Sequence, residues 1–233
     1  MKLGIMQPYF FPYLGYFDLI NSVDKWIVFD TVQYIRHGWM NRNRILHPKS
    51  GWQYIIVPLK KHSRGTAIKD IEVSVQTDWK RPILGQLTHY KKQAPFFEET
   101  ICLLKDCLSN DETSLSRLNV SVLRKICARL GIQFDYSYFS EMDIELDPIG
   151  GPGDWALHIS EAMGVSGYVN PSGGVHLFDR RKFEDKGIKL TIKKFKAFEY
   201  SCGRYEFVPN LSIIDVFMWN SSAEIKKYLD GLL

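Results

Sequence analysis

The first stretch of the chain reads as strand, loop, helix and strand, and few architectures accept that order. KLGIM (2–6) is a short apolar run that ends at Gln7-Pro8. Residues 14–22 place Leu14, Phe17, Leu19 and Ile20 at helical spacing, and DKWIVFDTV (24–32) is rich in β-branched and aromatic residues. Two strands joined by a helix within so short a span argue for parallel neighbours in one sheet.

The alternation continues. Strands are expected at GWQYIIVPL (51–59), IKDIEVS (68–74), IQFDYSYFS (132–140), GYVNP (167–171) and IKLTIKKF (188–195). Helical patterns cover 79–107, with a break near Ala94-Pro95, and 113–130, capped by Thr113 or Ser114 and stopped by Gly131. Two more helices are expected from Asp154 and within 176–187. LSIIDVFMW (211–219) precedes a helix opened by a capping box, Ser221 with Glu224. The expected fold is an open, mainly parallel α/β sheet over residues 1–208, with helices on both faces. A helical C-terminal extension, 209–233, belongs to the same compact unit.

Composition narrows the class. Hydrophobic residues make up 45% of the chain and charged residues 24%, as in ordinary globular proteins. A net charge of +4 suits anionic small molecules but does not by itself argue for nucleic acid. The four cysteines form no CxxC pair and stand at no metal-ligand spacing, so reduced thiols in a cytoplasmic protein are expected. No run of about 18 apolar residues predicts a membrane span, and the N-terminus lacks a signal-peptide pattern. A homo-oligomer stays open, because Phe217 and Trp219 on the C-terminal helix offer either a dimer surface or a docking face.

Ligands in open α/β sheets bind beyond the carboxyl ends of strands. The loops after strands are therefore where side chains count. IMQPYFFPYLGYFDLI crowds Tyr9, Phe10, Phe11, Tyr13, Tyr16 and Phe17 around a proline-bounded turn. Gln7 ends the first strand, Gly15 lets a ligand approach the backbone, and Tyr13 and Tyr16 offer phenols to a base, sugar or phosphate. Phe10, Phe11 and Phe17 read as core, while Asp18 and Asp24 read as surface or turn residues. Asp30 ends the second strand, where a carboxylate binds a hydroxyl or amine, or caps a turn.

In Asn41-Arg42-Asn43-Arg44, an extended backbone sets the two amides on one side and the two guanidinium groups on the other. Paired arginines suit phosphate, with His37 nearby as a candidate general base. Lys61 sits in a second basic loop, and Asn170, Ser172 and Gly173 follow the strand GYVNP. Asp154 and His158, four apart, share a helix face and read as a structural pair or a catalytic one. No motif indicates a bound metal.

The spacing Gln7-Pro8 through Pro12, Gly15 and Asp18-Leu19-Ile20 resembles the opening of nucleotidylyltransferases and class I aminoacyl-tRNA synthetases. Those families carry an HxGH or HIGH motif at this turn, where this chain has Tyr13-Leu14-Gly15-Tyr16. The resemblance implies a Rossmann-like sheet of the HUP type and ATP with magnesium as the candidate cofactor. Neutral tyrosines in place of histidines weaken the case for adenylyl transfer.

A closer resemblance spans nearly the whole chain. QPYFFPYLGYFDLI, DKWIVFDTVQYIRHGWMNRNRI, YIIVPL and GYVNPSGG, in this order, are similar to the WbqC-like family. That family is associated with bacterial O-antigen and other surface-polysaccharide genes, and its members are described as glycine or aminoacyl transferases acting on amino sugars. The resemblance implies transfer of an aminoacyl group to the amine of a nucleotide-linked amino sugar, from an activated donor that includes tRNA among its candidates. Under it, Arg42 and Arg44 hold phosphates, the tyrosines flank a base or sugar, and Asp30 or His37 takes the proton from the attacking amine. The rival readings are ATP-dependent activation of an amino acid, a non-catalytic ligand-binding protein of the same pathway, and nucleic-acid binding, which the aromatic and basic composition permits but no RRM, KH or helix-turn-helix pattern supports.

Overall fold

The computed structural model describes residues 1–231. In chain order the elements are β1 (Lys2–Met6), α1 (Leu14–Ile20), β2 (Lys25–Val28), β3 (Arg42–Leu46), β4 (Trp52–Ile56), α2 (Lys80–Gln86), α3 (Phe97–Cys107), α4 (Leu115–Leu130), β5 (Tyr136–Tyr138), α5 (Asp154–Ala162), β6 (Gly167–Pro171), α6 (Arg180–Asp185), β7 (Lys189–Lys193), α7 (Ile213–Trp219) and α8 (Ser222–Leu229). Short 3-10 turns lie between them.

Five strands form one all-parallel sheet in the order β5-β2-β1-β6-β7. Side chains alternate between its faces, as the pleat requires. Trp26, Val28 and Val169 point into the larger core with α1, α4 and α7. Leu3, Ile5, Ile27 and Tyr168 point into a second core, closed by α5 and α6 through Ala156, Leu157, Ile159 and Phe183. Helices thus cover both faces, as a parallel sheet needs, and the fold is a Rossmann-like open α/β one.

The long connection from β2 to β5 carries the antiparallel hairpin β3–β4 and the helices α2 to α4. The C-terminal segment straps this hairpin to the core. The Ser212 amide donates to the Arg44 carbonyl (2.8 Å). Asp215, fully buried on α7, accepts from the Tyr90 hydroxyl, from the Tyr200 hydroxyl (2.9 Å) and from the Leu46 amide (3.4 Å). Burial pushes the Asp215 carboxyl up to about 6, against the pull of these donors.

The opening β–α–β, the Ser114 cap, the left-handed Gly131 stop and the Ser221–Glu224 capping box stand where the sequence places them. The segment 68–74 is not a strand: it forms a 3-10 turn at Ile68–Asp70 and then isolated bridges at Glu72 and Val73. The expected helix over 176–187 shrinks to α6, because a 3-10 turn occupies Ser172–Leu177. Phe217 and Trp219, on α7, are buried within the chain itself, so neither is presented to a second copy. Leu232 and Leu233, the end of the 209–233 extension, lie outside the described residues. All four cysteines are free, and Cys107, Cys127 and Cys202 are buried thiols pushed up to about 12. Among the described residues no helix is long and apolar enough to cross a membrane.

Candidate functional site

Sheet order locates the site. From β1 the chain crosses to β2 on one side, and from β6 it crosses to β7 on the other. The loops leaving these two adjacent strands therefore diverge and open a crevice at their carboxyl ends. A cavity of about 700 Å³ fills it, with the loop after β1 on one wall and the turn after β6 on the other. That volume suits a nucleotide-sized ligand.

The crowded aromatics of the first loop divide between two tasks. Phe10 and Phe11 plug into the larger core. Their carbonyls both accept from Asn43 Nδ2 at 3.0 Å, and Ser212 Oγ donates to the Phe11 carbonyl at 2.8 Å. Asn119 Nδ2 holds the Pro8 carbonyl at 2.9 Å. Phe11 sits at φ +40°, a conformation that costs a non-glycine residue of order 1–3 kcal/mol and persists only when neighbours over-determine it. These donors do so. Tyr9 and Tyr13 are partly buried in the cavity wall, and Tyr16 reaches that wall from within the larger core.

The α1 turn is built for close aromatic packing. A Cβ on Gly15 would stand 2.3 Å from Tyr13 Cε2 and 2.9 Å from Phe195 Cδ1, so only glycine lets the Tyr13 ring lie over the helix. Tyr13 packs edge-on against Phe195 (5.8 Å). The Tyr16 hydroxyl donates to the Gln7 carbonyl (2.9 Å), and burial raises both phenols above the ordinary tyrosine value. Neither tyrosine presents a charge to a phosphate.

Asp18, one turn further along α1, lines the cavity rather than the surface. It had read as a surface residue because it is a lone carboxylate, but α1 is buried at every other position, so its side chain has only the cavity to face. Lys193 Nζ, at the carboxyl end of β7, meets Asp18 Oδ1 at 3.0 Å. Burial raises the Asp18 carboxyl, and the Lys193 hydrogen bond and charge hold part of that rise back. An acid poised this way can take a proton.

Opposite, Asn170 lies buried at the end of β6, accepting from the Tyr168 hydroxyl (2.8 Å) and donating to the Pro171 carbonyl (2.8 Å). Ser172 and Gly173 follow it into the cavity wall. At the mouth, Arg44 stacks between Trp39 and Trp52, 5.2 Å from each ring, and donates to the Asn210 carbonyl (3.3 Å). Its Nε is buried without a partner.

The cavity thus gathers Gln7, Tyr13, Gly15, Tyr16, Asn43, Arg44, Asn170, Ser172 and Gly173. Asp30, His37, Asn41, Arg42 and Lys61 stand outside its walls. The Asp30 carboxylate is taken up by Ser140, accepting from its amide (3.1 Å) and hydroxyl (2.7 Å). Asn41 accepts from the Tyr34 hydroxyl (2.8 Å) and donates to the Val57 carbonyl (3.0 Å). The Arg42 guanidinium lies over the Tyr54 ring (4.3 Å) and donates to the His37 carbonyl, leaving His37 on an exposed turn at φ +63°. Lys61 is exposed on the loop after β4. Asp154 is an ion-pair partner of Lys182 (2.9 Å), and His158 turns toward Asp147 (3.9 Å) rather than toward Asp154. Asp147, His158 and Glu161 bring ligand atoms within 4.8 Å of one another, but none lines the cavity and Glu161 is paired with Lys186 (2.5 Å).

Sequence reasoning missed Asp18, Lys193, Trp39 and Trp155 as cavity residues. Lys193 carried a usable signal: it lies near the carboxyl end of the last expected strand, where side chains reach the crevice.

Comparison with known proteins places this architecture. A sequence model of the WbqC-like protein family matches residues 7–227. The chain belongs to the WbqC-like protein family. A relative from Mycobacterium tuberculosis (strain ATCC 25618 / H37Rv), described as "Uncharacterized protein Rv1507c", is 31% identical over 231 residues, covering 98% of this chain and 97% of its own. No solved structure matches the chain. The family's span includes both walls of the cavity, from Gln7 through Lys193 and Asn210.

Proposed function

We propose that this chain is an enzyme that transfers an aminoacyl group, glycyl among the candidates, to the amine of a nucleotide-linked amino sugar, in the assembly of a bacterial surface polysaccharide. The observation that carries this reading is the Asp18–Lys193 pair in the wall of the switch-point cavity. An ammonium acceptor has no lone pair and must lose a proton before it attacks. Asp18 first holds the ammonium as a counter-ion and then receives that proton, the neutral acid being eased by burial. Lys193 keeps the carboxylate oriented while the site is empty. Arg44, in the cavity lining, holds the diphosphate, and its planar fork suits two phosphate oxygens. Tyr9, Tyr13 and Trp155 present faces and edges to the sugar and base, and Asn170 and the turn after it reach the hydroxyls.

The rival reading, ATP-dependent activation of an amino acid, is less well served. Where the HxGH families have histidines, Tyr13 is covered by Phe195 and Tyr16 is bonded to Gln7. Calorimetry separates the two. The native chain is titrated with UDP- and dTDP-linked amino sugars and, separately, with ATP and magnesium. Saturable one-to-one binding of an amino-sugar nucleotide supports the transfer reading. Binding of ATP–magnesium alone transfers the case to the activating enzyme.

A further inference from the structure

The hairpin β3–β4 carries an outer face that the cavity does not use. Strand pairing sets Arg42 opposite Ile56, Arg44 opposite Tyr54 and Leu46 opposite Trp52. Asn43, Ile45 and Ile55 point inward and are buried, so the arginines and their partners point out. There they form a ladder of rings and guanidinium groups in contact, with Trp52 and Tyr54 meeting edge to face at 72°. Trp39 lies 5.2 Å from the Arg44 guanidinium, which lies 5.2 Å from Trp52. Trp52 meets Tyr54 at 4.8 Å, and Tyr54 meets the Arg42 guanidinium at 4.3 Å. Trp39 and Trp52 remain 37% and 41% exposed.

Charge sharpens the picture. Residues 31–69 hold eight of the chain's lysines and arginines and none of its aspartates or glutamates. This segment alone exceeds the +4 of the whole chain, so the rest is net acidic. Beyond Arg42 the ladder runs into two adjoining basic loops, where Arg36 donates to the His62 carbonyl (3.4 Å) and Lys61 and Arg64 are exposed. At its other end the ladder reaches the cavity, because Trp39 and Arg44 line both.

Aromatic rings and guanidinium planes in file, flanked by unpaired cations, are the surface on which unstacked bases lie while phosphates follow the charge. We propose that the outer face of the β3–β4 hairpin binds a single-stranded RNA end and that this RNA delivers the acyl group to the cavity mouth. The inference rests on the proposed transfer to an amino sugar and names its donor as an aminoacyl ester of RNA. The step balances without a co-reactant. Asp18 takes one proton from the sugar ammonium, and the free amine attacks the ester carbonyl; a C–N bond forms as the C–O bond to the ribose breaks, Asp18 hands its proton to the leaving ribose oxygen, and the second N–H proton leaves to water as the amide forms. Arg42, His37 and Lys61, which stand outside the cavity, acquire a place in this arrangement as contacts to the RNA backbone.

The test uses the native chain and a fluorescein-labelled single-stranded RNA of about a dozen nucleotides, a length that spans common site sizes, read by anisotropy. Saturable binding that weakens as salt rises is expected. Trp52→Ala should weaken it about tenfold or more, the effect of one lost stacking platform, and Trp52→Phe should restore most of it. The absence of saturable binding overturns the proposal, and so does binding that Trp52→Ala leaves unchanged. Binding to vesicles of anionic lipid without binding to RNA would make the face a membrane contact and overturns it as well. The amino-sugar titration of the native chain tells the failures apart. Sugar binding without RNA binding removes this inference alone, and RNA binding without sugar binding removes the proposed acceptor.

Discussion

Asp215 gives the sharpest handle on how the hairpin is held. It is buried with two tyrosine hydroxyls and one amide as donors and with no cation, and its carboxyl sits at about 6. An unfolded chain would release that proton near pH 4. Below about pH 4 the group is protonated in both states and contributes no difference. Between about pH 4 and 6 the unfolded chain gives up the proton while the folded chain keeps it, so stability falls as pH rises. Two pH units at about 1.4 kcal/mol each give a loss of about 3 kcal/mol, complete above pH 6. Asp215→Asn removes the titration and keeps the shape. Its Oδ1 still accepts from Tyr90 and Leu46, and its Nδ2 donates to Tyr200. The assay is urea unfolding of both proteins at pH 4 and pH 7.5. Taking the variant minus the native chain cancels the other carboxylates, which are distant and additive. That difference should rise by about 3 kcal/mol from the lower pH to the higher. Parallel behaviour at the two pH values would mean that the buried carboxyl titrates like an exposed one, contrary to the effect of burial.

Asn43→Ala takes the donor from the buried Phe10 carbonyl and one of two donors from the Phe11 carbonyl, and urea unfolding should show a loss of about 1–3 kcal/mol. Unchanged stability would mean that water replaces the amide. Gly15→Ala drives a methyl into the Tyr13 ring, at a cost of about 1–3 kcal/mol, so the melting temperature should drop by several degrees as the ring is displaced into the cavity. Replacing Lys193 by Met takes away the hydrogen bond and charge that hold the Asp18 carboxyl down. The acid limb of the transfer rate, read as a pH profile, should then move to higher pH. A profile that keeps its place would detach Asp18 from the chemistry.

The parts of this fold that were legible in the sequence are local. KLGIM and GYVNP declare themselves as strands, Ser221 and Glu224 as a cap, and Gly131 as a stop. The strand order was not legible, because which neighbour β6 chooses depends on packing between residues more than 150 positions apart. The order decides where the crevice opens, so it also decided which candidates met. Gln7 and Asn170 met because each ends one of the two strands that flank the switch. Asp30 ends a strand too, but β2 lies one place further out, and its carboxylate found Ser140 on the loop after β5. Alternation in Asn41 to Arg44 was correct, but the faces served different ends: Asn43 inward as a strap for the first loop, Arg42 outward onto Tyr54. Asp18 was hidden by the brevity of α1. A single carboxylate in a seven-residue helix reads as solvated until the helix proves to have no solvent face.

The central claim is that Asp18 meets the acceptor's amine inside the crevice. It is tested most directly by the affinity of the native chain, at neutral pH, for one nucleotide-linked amino sugar and for the same compound with its amine acetylated. A charge-assisted contact to the ammonium predicts that the free amine binds about tenfold more tightly or better, and that Asp18→Asn removes the preference while the acetylated compound binds both proteins alike. Equal affinity for the two compounds in the native chain, or a preference that survives in Asp18→Asn, would contradict it.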